Sequence, residues 1–150
     1  ADTDDIPSLI RLGREMHEEA PTFNMLDFDD QKVVALFNSA PMMDGGACFI
    51  AEDNGEAIGM FCGIVVPHYF GHMLMANDLC LFVSKPKRGG TAAYRLVKTF
   101  ENWAIAKGAV SLRFGISTNV EPERTLKLYE KLGYKLEGYQ VNKYYSKGGK

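Results

Sequence analysis

The stretch from Leu79 to Ala104 constrains the fold most, because three patterns follow one another there without a linker. An apolar run predicts a buried strand over 79–83, and a basic, glycine-rich turn follows over 84–90. Apolar residues then recur at the three- and four-residue spacing of an amphipathic helix, namely Ala93, Leu96, Val97, Phe100, Trp103 and Ala104. The unpaired N–H groups at such a helix start can bind an anion.

The composition of the turn admits two interpretations. Gly89 and Gly90 would let the backbone approach an anion, and Lys87 and Arg88 would add positive charge. An ordinary strand-to-helix connection with solvated basic residues explains the same letters, since glycine-rich turns are common. The residues alone leave these two interpretations evenly matched.

Length and composition set the broad class. The 150 residues suit one domain, which we predict over 1–146, followed by a flexible tail over 147–150. A net charge of −2 gives no overall attraction for nucleic acid or an anionic membrane. No apolar run approaches membrane-spanning length, and no signal peptide is evident. We therefore expect a cytoplasmic protein with no nucleic-acid or membrane partner.

The three cysteines, Cys48, Cys62 and Cys80, each fall inside a predicted strand. Their odd number and the lack of CxxC spacing argue against a disulfide framework. We therefore predict buried core thiols in a reducing compartment.

Two helices are predicted before the first strand. Asp4 or Asp5 can cap the first, which Pro21 ends, and Asp29 or Asp30 can cap the second. Spacing assigns Ile6, Leu9, Ile10, Gly13, Met16 and His17 to the buried face of the first helix, and Arg11, Arg14, Glu15 and Glu18 to its solvent face.

The middle of the chain predicts a loop and then strands. Residues 38–46 have the composition of a loop. The Asn54-Gly55 pair predicts a hairpin between strands at 48–52 and 56–66. The remaining patterns predict a strand from residue 74 or 75 to 83, a helix at 91–107, a strand at 110–116, a helix at 121–132, and two strands at 134–137 and 141–145.

Two segments carry a family resemblance. FVSKPKRGGTAAYRL resembles the acetyl-CoA motif of the GNAT family of N-acetyltransferases: Arg or Gln, two residues, Gly, one residue, then Gly or Ala. The motif falls on residues 88–93, with Thr91 where the family usually has glycine. LYEKLGY at 128–134 is similar to the C-terminal family signature. The compact chain also resembles small phage and bacterial members.

The resemblance implies an α/β fold with a mixed, mainly antiparallel central sheet flanked by about four helices. Two neighbouring strands would splay apart to hold acetyl-CoA, which is the cosubstrate, and no metal is implied. The implied activity is direct transfer of the acetyl group to a primary amine on a small molecule or a protein. Because the family often dimerises, the resemblance also allows a homodimer. The alternative is a non-catalytic acyl-CoA-binding module, or a scaffold of the same fold.

The resemblance also implies which residues bind the cosubstrate. Backbone groups at Leu81, Phe82 and Val83 would pair with the pantetheine, which Asn119 would also contact. The pyrophosphate would lie on Arg88, Gly89, Gly90, Thr91, Ala92 and Ala93.

Tyr129 matches the family tyrosine that protonates the departing thiolate, and Asp78 is the candidate base, acting directly or through water. Packing of Tyr129 in the core and solvation of Asp78 at a strand end are the alternatives. His68, Tyr69, Met25 and Tyr139 are candidates for contact with the acceptor. His68 and His72 stand four apart, but Pro67 and Gly71 argue against a helical metal site.

Overall fold

The structure, a computed structural model, describes residues 1–145. Chain contacts divide it into two compact units, residues 1–120 and the residues from 121 onward. The helices are α1 (Ile6–Glu19), α2 (Asp30–Phe37), α3 (Ala40–Gly45), α4 (Ala92–Ala106) and α5 (Pro122–Lys131). The strands are β1 (Gly46–Asp53), β2 (Glu56–Pro67), β3 (Leu74–Val83) and β4 (Ala109–Arg113). The predicted tail over 147–150 lies outside the described residues. The assignment of residues 1–146 to a single domain stays a prediction.

The four strands form one sheet in the order β1-β2-β3-β4. The first three strands pair antiparallel, and β4 joins β3 in parallel. Asn54 and Gly55 have φ of 51° and 79°, as the tight turn between β1 and β2 requires. The predicted mixed, mainly antiparallel sheet and its hairpin are confirmed.

The two faces of the sheet bury different helices. On one face Leu9 and Leu12 of α1 pack in a cluster with Met60 and Phe82. Phe61 points to the other face, where its ring stacks on Phe100 of α4 with centroids 4.5 Å apart. Leu12 is fully buried, although the sequence spacing did not place it on the buried face.

Gly63 is tightly confined between α4 and β3. A Cβ at this position would lie 2.5 Å from Phe100 Cζ and 2.7 Å from the Asn77 carbonyl oxygen. We expect Gly63→Ala to lower the free energy of unfolding by about 1–3 kcal/mol, because backbone as well as a ring must shift. Urea denaturation would measure the loss. Gly71→Ala is the control, since no described atom lies within 4 Å of a Cβ there; equal stability of both variants would contradict the prediction.

The predicted loop over 38–46 is wrong, because α3 occupies most of it. The Ser39 carbonyl accepts hydrogen bonds from the N–H groups of Met42 and Met43, at 3.0 and 2.9 Å. A serine followed two residues later by a proline is compatible with a helix start, as N-cap and first turn, as well as with a loop. Composition therefore could not separate the two.

The two strands predicted at 134–137 and 141–145 are not formed in the described chain, and the strand predicted at 110–116 ends at Arg113. Residues 135–145 are all exposed, with Tyr139 and Val141 more than 90% exposed. An isolated hairpin is marginal in water unless it packs on something. The sequence of these segments alternates as a strand does, but none of the residues over 135–145 is buried.

The prediction of three free thiols is wrong for Cys48 and Cys62. These residues lie directly opposite each other in β1 and β2 and form a disulfide. Cys80 is opposite Cys62 on the next strand and is a free thiol, whose pKa burial raises to about 12. Strand register, which sequence spacing did not fix, brings the pair together.

The helices of residues 1–145 include none with the length and apolar character needed to cross a membrane.

Candidate active site

The turn between β3 and α4, residues 84–93, is the predicted anion cradle. Gly89 takes a φ of +97°, which glycine adopts without strain, and the helix begins at Ala92. The N–H groups of a first helical turn have no acceptor within the helix. Among the described residues, the Thr91 side chain makes no capping hydrogen bond to them. No described atom lies within 4 Å of where a Gly90 Cβ would be. An anion can therefore approach these N–H groups.

Thr91 departs from the family motif without backbone strain. Its φ is −97°, an ordinary value for an L-residue, so this position does not require glycine for its conformation. The substitution is compatible with the cradle.

Arg88 is held inside the protein. Its Nε donates to the Val83 carbonyl at 2.8 Å, and its two terminal nitrogens pair with both Glu19 oxygens at 2.5 and 2.6 Å. The guanidinium lies 5.4 Å from the centroid of the Phe82 ring. The hydrogen bond from Arg88 holds the pKa of Glu19 below its usual value. Both carboxylate oxygens of Glu19 are thus engaged at the start of the cradle.

Lys87 is also paired within the chain. Its Nζ lies 2.8 Å from Asp53 at the tip of the β1–β2 hairpin, and this hydrogen bond raises the pKa of Lys87. The basic side chains predicted to attract an anion therefore also tie the turn to neighbouring elements.

The strands β3 and β4 separate beyond Asn77. Their ladder runs from Leu74 opposite Ala109 to Asn77 opposite Arg113, and within the described residues no later pair joins them. The second half of β3, residues 78–83, therefore keeps β2 as its paired neighbour and has an open edge toward β4. The implied splayed strand pair would begin at this point, and Leu81, Phe82 and Val83 lie on the part of β3 beyond it; their contact with the pantetheine stays a prediction.

Asp78 lies where the two strands part. Its Oδ1 accepts a hydrogen bond from the Gly115 N–H at 2.9 Å, which joins β3 to the segment after β4. Burial raises the pKa of Asp78 to about 6, against a smaller opposing effect of the Gly115 hydrogen bond. Asp78 is thus a partly buried carboxyl within the strand, and not a solvated residue at a strand end.

A bulge in β3 sets the position of Asp78. Cys80 pairs with Cys62, but Asp78 pairs with the next residue of β2, Gly63, so that Leu79 is the extra residue. Without the bulge, Asp78 would lie opposite Ile64. The sequence does not reveal this irregularity.

The loop between α1 and α2 reaches the same region. The Thr22 hydroxyl donates to the Ser117 carbonyl at 2.7 Å, two residues beyond the partner of Asp78. His17 Nε2 lies 2.6 Å from the Leu26 carbonyl and holds the other half of the loop. Met25 lies between these two ties and is 63% exposed. The structure therefore brings the loop of Met25 toward the segment that contacts Asp78.

The loop over 68–73 lies elsewhere. It precedes Leu74 at one end of β3, whereas the cradle follows Val83 at the other end, about 30 Å away for a ten-residue strand. The rings of His68 and Tyr69 stack with centroids 4.3 Å apart. The structure does not bring these two residues to the cradle, and their contact with an acceptor stays a prediction.

The other predicted site residues lie at or beyond the end of the first unit. Asn119 is exposed and has a φ of +56°. Tyr129 is buried near the end of α5, and its ring centroid lies 5.8 Å from that of Tyr134. Tyr139 is exposed.

The LYEKLGY segment is a helix end with a defined hydrogen-bond pattern. The Tyr134 N–H donates to the Tyr129 carbonyl, and the Gly133 N–H donates to that of Glu130, both at 3.0 Å. With Gly133 at a φ of +91°, this is a Schellman motif. The predicted glycine stop is confirmed, and it fixes Tyr129 in the last turn.

The sequence of this chain matches that of a known protein family. A sequence model described as an acetyltransferase (GNAT) domain matches residues 44–136, well over half of the chain. The chain belongs to the GNAT acetyltransferase family. No curated protein matches it.

Solved structures share this GNAT fold at low sequence identity. AAC(6')-Iy, in complex with the bisubstrate analogue CoA-S-monomethyl-acetylneamine, has a TM-score of 0.74 and 20% identity, covering 98% of this chain and 95% of that one. A ribosomal-protein-alanine N-acetyltransferase from Brucella melitensis biovar Abortus 2308 has a TM-score of 0.71 and 16% identity, covering 95% of this chain and 93% of that one. A transcriptional regulator from Bacillus halodurans C-125 has a TM-score of 0.77 and 17% identity, covering 97% of this chain and 96% of that one. These likenesses concern the fold alone.

Sequence reasoning missed two residues of α1 that contact the predicted cradle. Glu19, the partner of Arg88, lies 69 residues before it. Glu15, which the helical pattern assigned to solvent, accepts a hydrogen bond from the Ser84 hydroxyl at 2.6 Å. The four-residue spacing of Glu15 and Glu19 was the available signal, because it places both on one side of α1.

Proposed function

We propose that this GNAT protein is an N-acetyltransferase that moves the acetyl group from acetyl-CoA directly to a primary amine. The observation that carries the proposal is the position of Asp78. This partly buried carboxyl lies where the β3–β4 ladder ends, on the strand that leads into the predicted anion cradle. Family membership supports the general activity.

The residues of the first unit suit the binding of acetyl-CoA. The first-turn N–H groups at Ala92 and Ala93, with the positive end of the α4 dipole, would hold the pyrophosphate. The open edge of β3 at Leu81 and Phe82 would pair with the amides of the pantetheine, and Asn119 follows the segment after β4. Bound acetyl-CoA would supply the activated thioester, and these groups would orient it.

Asp78 would accept the proton of the amine, directly or through one water. An alkyl amine has a pKa of about 10.4, so it is mostly protonated near neutral pH and needs an acceptor. With a pKa of about 6, Asp78 is ionised at pH 7 and above. A base with a pKa close to the working pH combines the correct ionisation state with useful basicity.

Tyr129 would donate a proton to the departing CoA thiolate. This role rests on the family resemblance of the LYEKLGY segment. The Schellman end of α5 supports it, because that end fixes the tyrosine in one orientation of the backbone.

The acceptor is a primary amine, on a small molecule or on a protein. Two of the structural neighbours represent both kinds: AAC(6')-Iy was solved with a bisubstrate analogue that contains acetylneamine, and the Brucella protein is a ribosomal-protein-alanine N-acetyltransferase. The exposed Met25 in the loop near Ser117 is the candidate contact of the acceptor in the first unit. The alternative of a non-catalytic module drew on Thr91, but the ordinary φ of that residue does not favour it.

Binding of the cosubstrate is the first test. A ligand that binds only the folded protein stabilises it by RT ln(1 + [L]/Kd), about 2.7 kcal/mol at a hundredfold excess over Kd. We expect acetyl-CoA and CoA to raise the melting temperature and ATP at the same concentration to leave it unchanged. An unchanged melting temperature with all three ligands would contradict the proposed function.

A further inference from the structure

We infer that Glu19 is a positioning residue for the cosubstrate: it holds Arg88 as a brace of the anion cradle, so that Arg88 acts through the turn and not as a phosphate ligand. The inference rests on the proposed function and adds a residue from α1 to the site. It also differs from the simplest interpretation of Arg88, in which its positive charge binds the phosphate directly.

The contacts of Arg88 support a bracing role. The side chain spans from the Val83 carbonyl at the end of β3 to both oxygens of Glu19 at the end of α1. The Arg88 side chain is 15% exposed and that of Glu19 is 27% exposed. A bidentate pair with a third bond to a carbonyl fixes the plane of the guanidinium as well as its position.

A second tie from the same helix strengthens the argument. Glu15 accepts from the Ser84 hydroxyl, and the Ser84 N–H donates to the Ile58 carbonyl at 2.8 Å. Glu15 and Glu19 are one helical turn apart on α1, and Ser84 and Arg88 bound the short turn between β3 and Gly89. The helix α1 therefore holds this turn at both ends and fixes the position from which the backbone enters Gly89.

Charge leads to the same conclusion. The Glu19 carboxylate offsets the positive charge of Arg88, so the attraction for a pyrophosphate would come mainly from the backbone N–H groups and the α4 dipole. Moving Arg88 onto a phosphate would leave the Glu19 carboxylate partly buried without its partner, which is unfavourable. The resting arrangement is thus the one expected to persist when CoA is bound.

The test compares the dissociation constant of CoA for Glu19→Gln, Arg88→Gln and the double variant, by calorimetry on the full chain. We expect each single variant to weaken binding by about tenfold, and the double variant to bind no more weakly than either single one, because both lose the same brace. Glu18→Gln, the same charge change at the exposed neighbouring position of α1, is the control and should bind like the parent.

The sign of the Glu19→Gln effect decides the inference. If Arg88 were a phosphate ligand restrained by Glu19, releasing it would tighten CoA binding, and this result would overturn the inference. Additive losses in the double variant, or unchanged binding by Glu19→Gln, would also overturn it.

A truncated ligand gives a readout that general loss of structure would not. S-acetylpantetheine lacks the pyrophosphate, so its binding to Glu19→Gln should match that of the parent if only the cradle is disturbed. Equal weakening of CoA and S-acetylpantetheine would indicate a general disturbance and overturn the inference. Failure of the parent protein to bind CoA would instead refute the proposed function itself, which distinguishes the two failures.

Discussion

Replacing Asp78 with asparagine is expected to reduce kcat by about 10²–10⁴-fold, the usual contribution of a general base. The amide has nearly the same shape, and its Oδ1 can still accept the hydrogen bond from the Gly115 N–H. The junction between β3 and the segment after β4 should therefore persist, and the variant should bind acetyl-CoA as the parent does. Steady-state kinetics with an amine acceptor would measure the loss of turnover.

The same variant should be more stable than the parent at neutral pH. Folding raises the pKa of Asp78 from 3.8 to about 6, so the folded state favours the protonated carboxyl. The stability that this provides is fully present below pH 3.8 and is lost as the pH rises through 6. Asparagine has no such loss, and the shift corresponds to at most about 3 kcal/mol.

Urea denaturation at pH 4, 6 and 8 would test this second effect. The stability difference between Asp78→Asn and the parent should grow across this range and level off above pH 6. Asp44→Asn is the control, since Asp44 is exposed. A pH-independent difference would contradict the raised pKa of Asp78, and full turnover by Asp78→Asn would remove Asp78 from the role of base.

Replacing Tyr129 with phenylalanine is expected to lower kcat by about a hundredfold while leaving the affinity for acetyl-CoA unchanged. The change deletes only the hydroxyl, so the buried ring keeps its place beside Tyr134 in the last turn of α5. A general acid is needed when the thiolate leaves and not when the thioester binds. Its removal should therefore affect turnover alone.

The pH dependence of turnover separates this role from packing. If Tyr129 is the acid, the decline of kcat at high pH in the parent should be absent in the variant. Tyr134→Phe is the matched control, because it removes a hydroxyl from the neighbouring ring. Full turnover by Tyr129→Phe, with a change in stability only, would show that Tyr129 is a core aromatic.

The parts of the fold that depend on local chemistry could be predicted from the sequence. The Asn54-Gly55 turn, the glycine ends of α4 and α5 and the period of the buried strands are properties of short segments. Two predictions were wrong for one shared reason: the loop where α3 forms, and the C-terminal strands that the described chain does not form. A short segment becomes regular only if its surroundings bury or cap it, and local letters do not report those surroundings.

The candidate site divides in the same way. The cradle and Asp78 follow from a contiguous motif and a short offset along β3. The disulfide between Cys48 and Cys62, the bulge at Leu79 and the Glu19 partner of Arg88 depend on register or on residues far apart in sequence. Such features require the paired elements to be known, because each is a relation between two segments.

The ties between α1 and the cradle have a consequence for the order of folding. They join residues 69 positions apart, so a large chain loop must close before either bond can form. The helix α1 is synthesised before its partners, yet Leu9 and Leu12 stay without their core until β2 and β3 have been made. A nascent chain that stops short of β3 would therefore expose the apolar face of α1, and such exposed surface binds chaperones and favours aggregation.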